Sequence, residues 1–176
     1  MKKKIVFLLT LLLTLALAGA ALAGTEDQMK DMVQTYLDEN GQDYVYDDYV
    51  FTLKLAIGSP LEYADVRIFI YDDMLSVIAD APVRVNEENF EKMAVFTTLA
   101  NNEIFYGQFR VDREYGYVSC RSCNLVEDVI PGENELFYLV GMPLEYLETY
   151  GDGIVAVCEG GDPYEAFNAC LAATDE

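Results

Sequence analysis

Hydrophobic residues recur along this chain with two periods, which distinguish predicted helices from predicted strands. From Thr25 onward, apolar side chains return every three to four residues until Asn40-Gly41, so we expect a helix that ends at the glycine. Residues 49–57 alternate apolar and polar, the period of a strand with one buried face. The same alternation within 66–79 predicts two more strands, joined by a tight turn at Asp72-Asp73.

The second half of the chain repeats this order of a helix followed by strands. Asn86 is a favourable N-cap residue, and the helical period that follows it should end at Asn101-Asn102. Two strands are then predicted, at 109–111 and 117–125, separated by a turn that contains Gly116.

A long helical stretch follows from Glu133, but it contains Pro143. Because proline lacks the backbone N–H and clashes with the preceding turn, we expect the helix to kink or restart there. The order α-βββ-α-ββ-α predicts an α+β domain, with an antiparallel sheet of about five strands flanked by helices. We place this domain at residues 24–160 and a C-terminal tail helix at 161–176.

The first 23 residues have the pattern of a bacterial secretory signal peptide. Lys2–Lys4 provide a positive start, Ile5–Leu17 is an apolar run, and Ala21-Leu22-Ala23 supplies the small residues that signal peptidase accepts. An uncleaved anchor is the alternative, but the apolar run is short for a membrane span. We therefore expect a secreted, extracytoplasmic protein that is cleaved after Ala23 and has no further membrane segment.

Charge excludes two classes of partner. The chain carries 31 acidic and 11 basic residues, and three of the basic residues lie in the predicted signal peptide. With 8 basic and 31 acidic residues, the mature chain has a formal charge of −23. Such a protein repels nucleic-acid phosphates and anionic lipid. The acidic residues are dispersed, which favours a solubility role, and weak calcium binding at several sites is a further hypothesis.

The sequence predicts no catalytic residue, no metal site and no cofactor. The chain has no histidine, so Ser–His and Cys–His nucleophilic machinery is ruled out. It also has no G-x-S-x-G, phosphate-binding glycine loop or dinucleotide fingerprint. We therefore expect a protein that is not an enzyme.

Four cysteines in an exported chain are typical of structural disulfide bonds. Cys120 and Cys123 lie in the predicted strand 117–125. Three steps along a strand separate their Cα atoms by about 10 Å and direct the side chains to opposite faces. A disulfide needs Cα atoms within roughly 7 Å, so we exclude a Cys120–Cys123 bond. Pairings with Cys158 or Cys170 stay open, as does the absence of any bond.

Tyrosines are abundant near the first predicted strand. Four of them are candidate binding residues, because an exposed aromatic platform can contact a peptide or a sugar: Tyr44, Tyr46, Tyr49 and Tyr71. The competing interpretation is that these rings fill the core and its rim.

The segment 101–125 contains Gly107-x-Phe109-x-Val111-Asp112, a short turn with Gly116, and then a long strand. This order of elements resembles the YbjN-domain family, whose members are often labelled sensory transduction regulators. The resemblance implies a type III secretion chaperone-like fold that often dimerises, binds proteins or peptides and does no chemistry. Members of that family are commonly cytosolic, whereas this chain has a predicted signal peptide.

Two functional hypotheses follow. The favoured one is a secreted, non-enzymatic protein- or peptide-binding module, with a second copy of the chain as one candidate partner. The alternative is an extracytoplasmic thiol or disulfide protein that uses Cys120 or Cys123.

Overall fold

A computed structural model describes residues 25–126 and 131–174, so the predicted signal peptide lies outside the described residues. The α-helices of the described part are α1 (Thr25–Glu39), α2 (Phe90–Glu103), α3 (Glu133–Cys158) and α4 (Pro163–Thr174). Its strands are β1 (Tyr44–Asp47), β2 (Val50–Ala56), β3 (Tyr63–Tyr71), β4 (Met74–Arg84), β5 (Gln108–Val111) and β6 (Tyr117–Leu125). None of these helices is long and apolar enough to cross a bilayer.

The strands form one antiparallel sheet with the order β1-β2-β3-β4-β6-β5. The predicted α+β class is confirmed, although the sheet has six strands instead of about five. The missed strand is β1, which pairs with β2 through a hairpin that joins Asp47 to Val50. Asp48 has a positive φ of 52° and makes the turn, so the tyrosine-rich run is divided into two strands.

Local signals at the element ends act as expected. The Asn86 side chain accepts a hydrogen bond from the Asn89 backbone N–H at 2.9 Å and caps a short 3₁₀ turn, Glu87–Asn89, that leads into α2. Gly41 adopts a φ of 62° just after α1. The two-residue turn at Asp72-Asp73 joins β3 to β4.

One face of the sheet packs against the helices and forms the core. Phe51, Ile68, Val77 and Cys120 point to this face and are 0% exposed. The helices contribute a matching set of fully buried side chains: Met29, Val33, Leu37, Phe96, Leu147 and Ile154. The opposite face, called the open face below, carries the alternate strand residues, among them Lys54 and Tyr71, which are exposed.

The expected restart at Pro143 is wrong, because α3 runs without interruption from Glu133 to Cys158, and the alternative of a kink stays a prediction. Pro143 removes the N–H that would bond to the Leu139 carbonyl one turn earlier. The Ser122 hydroxyl on β6 donates a hydrogen bond to that carbonyl at 2.6 Å. A side chain on the sheet therefore replaces the hydrogen bond that the proline costs the helix.

Two of the three glycines within α3, Gly151 and Gly153, lie where neighbouring elements approach closely. A Cβ on Gly153 would lie 2.5 Å from the Phe96 ring and 2.8 Å from the Cys170 sulfur. A Cβ on Gly151 would lie 2.3 Å from the Ser59 hydroxyl oxygen. The reduced helix propensity of glycine is thus offset by close packing, against α2 and α4 at Gly153 and against the β2–β3 loop at Gly151.

Candidate functional site

The four candidate tyrosines are divided between the two faces of the sheet. Tyr44 and Tyr46 lie on the helix side of β1, with ring centroids 5.3 Å and 4.5 Å from the ring of Phe51. The Tyr44 hydroxyl donates to Asp38 at 3.0 Å, and the Lys30 ammonium lies 4.4 Å from the centre of the Tyr46 ring. These two rings pack at the rim of the core.

Tyr49 and Tyr71 lie together on the open face. Their ring centroids are 6.1 Å apart, and the Tyr71 ring stacks on Phe69 at the same distance. Both tyrosines keep part of their surface exposed, 47% for Tyr49 and 38% for Tyr71. The four residues therefore do not form one platform, and binding by this exposed pair stays a prediction.

A groove of about 720 Å³ lies where β6 extends beyond its short partner β5, and it is called the edge groove below. It runs between the end of β6 and the first half of α3. Mostly apolar side chains line it, chiefly Phe105, Tyr106, Cys123, Tyr138, Leu139 and Met142.

The edge groove exists because β5 is only four residues long. It pairs with β6 over Val118–Arg121, so no strand of the described residues pairs with residues 122–125 on that side. Gly107 begins the departure of the chain from β6, and a Cβ there would lie 3.2 Å from the Arg121 carbonyl oxygen. Backbone N–H and C=O groups at such an edge can accept an added strand.

Two contacts hold the wall of the edge groove in place. The Asn101 side chain accepts a hydrogen bond from the Phe109 N–H at 2.6 Å and donates to the Phe109 carbonyl at 3.0 Å. The Tyr106 N–H donates to the Tyr146 hydroxyl at 3.3 Å. Asn101 was interpreted from the sequence as part of a helix stop, whereas here it fixes the edge strand to α2.

Exposed aromatic side chains line this groove. Phe105 is 91% exposed and Tyr106 is 74% exposed, and Tyr138 on α3 is 62% exposed. Phe137, which precedes Tyr138 in sequence, is 59% exposed, and Leu125 at the end of β6 is 67% exposed. Contiguous apolar surface of this kind is typical of a protein-interaction site.

The cysteine geometry on β6 agrees with the predicted strand. Cys120 pairs with Ala79 and is buried in the core, whereas Cys123 is exposed beside the edge groove. Burial raises the pKa of the Cys120 thiol to about 12, so this thiol is protonated at neutral pH. Of the two cysteines in the thiol hypothesis, only Cys123 is accessible to a reagent.

The other two cysteines are on α3 and α4. Burial raises the pKa of the Cys158 thiol to about 11, and burial also raises the pKa of Cys170. All four cysteines are free thiols in the structure. No group of three Asp, Glu, Cys or His side chains within 25–126 and 131–174 is arranged to hold a metal ion.

Comparison with known proteins gives the fold. No family model matches the chain, and no curated protein sequence matches it. The crystal structure of E. coli YbjN, a proposed transcription regulator, is similar, with a TM-score of 0.53 over 73% of this chain and 88% of that chain. The two sequences are 14% identical, so the likeness shows the fold alone. The YbjN-like fold expected from residues 101–125 is confirmed.

Proposed function

We propose that this chain, built on a YbjN-like fold, is an exported, non-enzymatic protein-binding module that holds an extended peptide in the edge groove. The fold is compatible with a protein-binding or regulator-like module. The observation that carries the proposal is the apolar groove of about 720 Å³ beside an unpaired strand end.

Strand addition is the binding mode that suits this groove. An extended peptide beside residues 122–125 would form main-chain hydrogen bonds with β6 and continue the antiparallel sheet beyond β5. Its alternate side chains would face α3, where Tyr138, Leu139 and Met142 provide an apolar wall. The partner is therefore a segment with apolar residues at every second position.

The proposal of export rests on residues 1–23. If the signal peptide is cleaved as expected, intact-mass measurement of the protein from the culture medium or envelope gives a chain that begins at Gly24. A chain that retains Met1 would contradict both cleavage and the proposed location.

Binding can be tested with selected peptides. Random linear peptides displayed on phage are selected against the mature chain, and one selected peptide is synthesised with N-methyl groups on one of its two backbone edges at a time. Strand addition predicts that methylation of the edge facing β6 abolishes binding, since it removes the N–H donors, whereas methylation of the other edge has little effect. Equal effects from both peptides would contradict the mode.

Side-chain variants provide a second test of the same groove. We expect Phe105→Ser or Tyr138→Ser to weaken the binding of the selected peptide at least tenfold, because each substitution removes a large apolar contact. Tyr164→Ser is the matched control, since Tyr164 is 58% exposed on α4 and does not line the groove. A similar loss in all three variants would contradict the assignment.

A second copy of the chain is the alternative occupant of the groove. Size-exclusion chromatography with light scattering measures the mass of the mature protein over a range of concentrations. A dimer that dissociates in the Phe105→Ser variant, but not in Tyr164→Ser, would identify the groove as the self-association surface. A monomer at every concentration leaves the groove to a different protein.

A further inference from the structure

Basic side chains are concentrated on the open face of the sheet. Five of the eight basic residues that follow Ala23 occupy its outward strand positions: Lys54, Arg67, Arg84, Arg110 and Arg121. Three acidic residues share these positions: Asp47, Asp65 and Asp80. The rest of the mature chain has 3 basic and 28 acidic residues. The open face is thus positive on a strongly negative protein.

Strand register arranges six of these eight charges in two neighbouring rows across the sheet. One row runs across five strands through Lys54, Asp65, Asp80, Ser119 and Arg110. The next row runs through Thr52, Arg67, Ile78, Arg121 and Gln108. At about 4.8 Å between strands, each row is roughly 19 Å long.

Aromatic rings hold two of the cations in place. The Lys54 ammonium lies 3.8 Å from the centre of the Tyr63 ring. The Arg84 guanidinium lies 4.1 Å from the centre of the Tyr117 ring and donates a hydrogen bond to its hydroxyl at 2.6 Å. Cation–π contacts of this kind order the side chains, so a partner meets cations whose positions are already restricted.

Two of the three carboxylates on this face, Asp65 and Asp80, are already paired with a basic side chain. Asp80 accepts a hydrogen bond from Arg67 at 2.7 Å, and Asp65 lies 3.7 Å from the Lys54 ammonium. Among the described residues, no carboxylate lies within ion-pair distance of Arg84, Arg110 or Arg121. Arg121 instead donates to the Ser76 hydroxyl at 3.0 Å. Three guanidinium groups on this face therefore have no acidic partner within residues 25–126 and 131–174.

An apolar area continues the open face beyond the two rows of charge. It contains the stacked rings of Phe69 and Tyr71 together with Tyr49, and Met74 and Leu125 lie on the same face beside Tyr71. A partner that covers the whole face has to present carboxylates to one part and apolar side chains to the other.

We infer that the open face is a second binding surface, and that its ligand is an acidic protein segment that also carries apolar side chains. Guanidinium groups bind carboxylates through two parallel hydrogen bonds, and the apolar area has no counterpart in a uniformly charged polymer. The mature chain has a formal charge of −23, and its repulsion grows with the charge of the ligand, so a short acidic segment meets less of it than a densely anionic polymer or lipid surface.

The test uses a short fluorescein-labelled peptide of alternating Glu and Leu, with fluorescence anisotropy of the mature chain as the readout. We expect saturable binding that weakens about tenfold when sodium chloride is raised from low to a few hundred millimolar. The double variant Lys54→Glu, Arg110→Glu should bind the peptide at least tenfold more weakly. Lys30→Glu, Arg113→Glu is the matched control, with the same change in net charge away from the open face, and should change affinity less than about threefold.

Three outcomes would overturn the inference. Equal losses in the two double variants would mean that net charge alone governs binding. Equally tight binding of a Lys–Leu peptide, of polygalacturonate, or of phosphatidylglycerol vesicles would contradict the ligand class. If the Phe105→Ser variant no longer binds the Glu–Leu peptide, the peptide binds in the edge groove and not on the open face. Retained binding in that variant supports the open face and separates this inference from the proposed function.

Discussion

The two faces of the sheet are made from the same strands but differ in the type and burial of their side chains. Along β3, Val66, Ile68 and Ile70 point into the core, whereas Arg67 and Phe69 between them point to the open face. The inner positions are apolar and sealed by helices, and the outer positions combine cations with rings. The comparison shows that half of the strand residues hold the fold together, while the other half are available for a partner.

The largest expected effect is on the free energy of unfolding. Two isoleucines, one on each face of the sheet, test the division between the faces. Ile68 points inward and is 0% exposed, whereas Ile78 on the adjacent strand points to the open face and is half-buried. We expect Ile68→Ala to lower the free energy of unfolding by about 3–4 kcal/mol and Ile78→Ala by about 1 kcal/mol. Urea unfolding measures both, and equal losses would contradict the division.

A smaller effect, with a pH dependence, is expected at the one carboxylate buried on the open face. Burial raises the pKa of Asp80, and Arg67 lowers it in part. A carboxyl with a folded pKa above its unfolded value of 3.8 stabilises the protein at low pH, and this stability is lost as the pH rises through the folded pKa. Arg67→Met raises that pKa further, so the variant should lose about 1–2 kcal/mol at pH 7 and less at pH 4.

The control for this experiment removes the carboxyl. In an Arg67→Met, Asp80→Asn double variant, the extra loss at pH 7 relative to pH 4 should disappear, because no titrating group is left at position 80. Thermal unfolding at the two pH values measures it, and a pH dependence that persists would assign the effect to another group.

A loss of about 1 kcal/mol is expected where the inner face meets α3. Ser122→Ala leaves the Leu139 carbonyl without its donor from the sheet. In a Pro143→Ala background the helix regains its own N–H donor, so the same change should cost less. A double-mutant cycle by urea unfolding gives the coupling between the two sites, and additive effects would contradict the compensation.

The smallest expected effect concerns the cysteines of β6. Cys123→Ser should change stability by less than about 0.5 kcal/mol, because its side chain is exposed. In the native protein, iodoacetamide should modify Cys123 within minutes and Cys120 only after unfolding. Mass spectrometry of the peptides measures both, and rapid modification of Cys120 would contradict its placement in the core.

Much of the fold follows from local patterns. The strand 117–125 was predicted with the bounds of β6, because its alternation is intrinsic to the sequence. The β1–β2 hairpin was missed, although Asp47-Asp48 is the same doublet as Asp72-Asp73 and aspartate tolerates the positive φ that Asp48 adopts. The Pro143 error has a different cause, since the compensating hydroxyl of Ser122 comes from another element.

The edge groove was not predictable in the same way. Its position depends on where β5 ends relative to β6, which is a property of register and not of either strand alone. One signal was present, because Phe105-Tyr106 places two large aromatics between a helix end and Gly107, where turn residues are usually polar. The four tyrosines were predicted as binding residues because tyrosine is abundant in that part of the chain. The structure divides them between the two faces of the sheet.

The length of the unpaired strand end has a consequence for selectivity. Four residues, 122–125, span only about 13 Å, so whatever pairs with them contributes a very short linear motif. Short apolar motifs occur in many unrelated proteins, and a groove that reads only such a motif discriminates weakly among them. Discrimination among partners would then have to come from residues that flank the motif and contact the protein outside the groove.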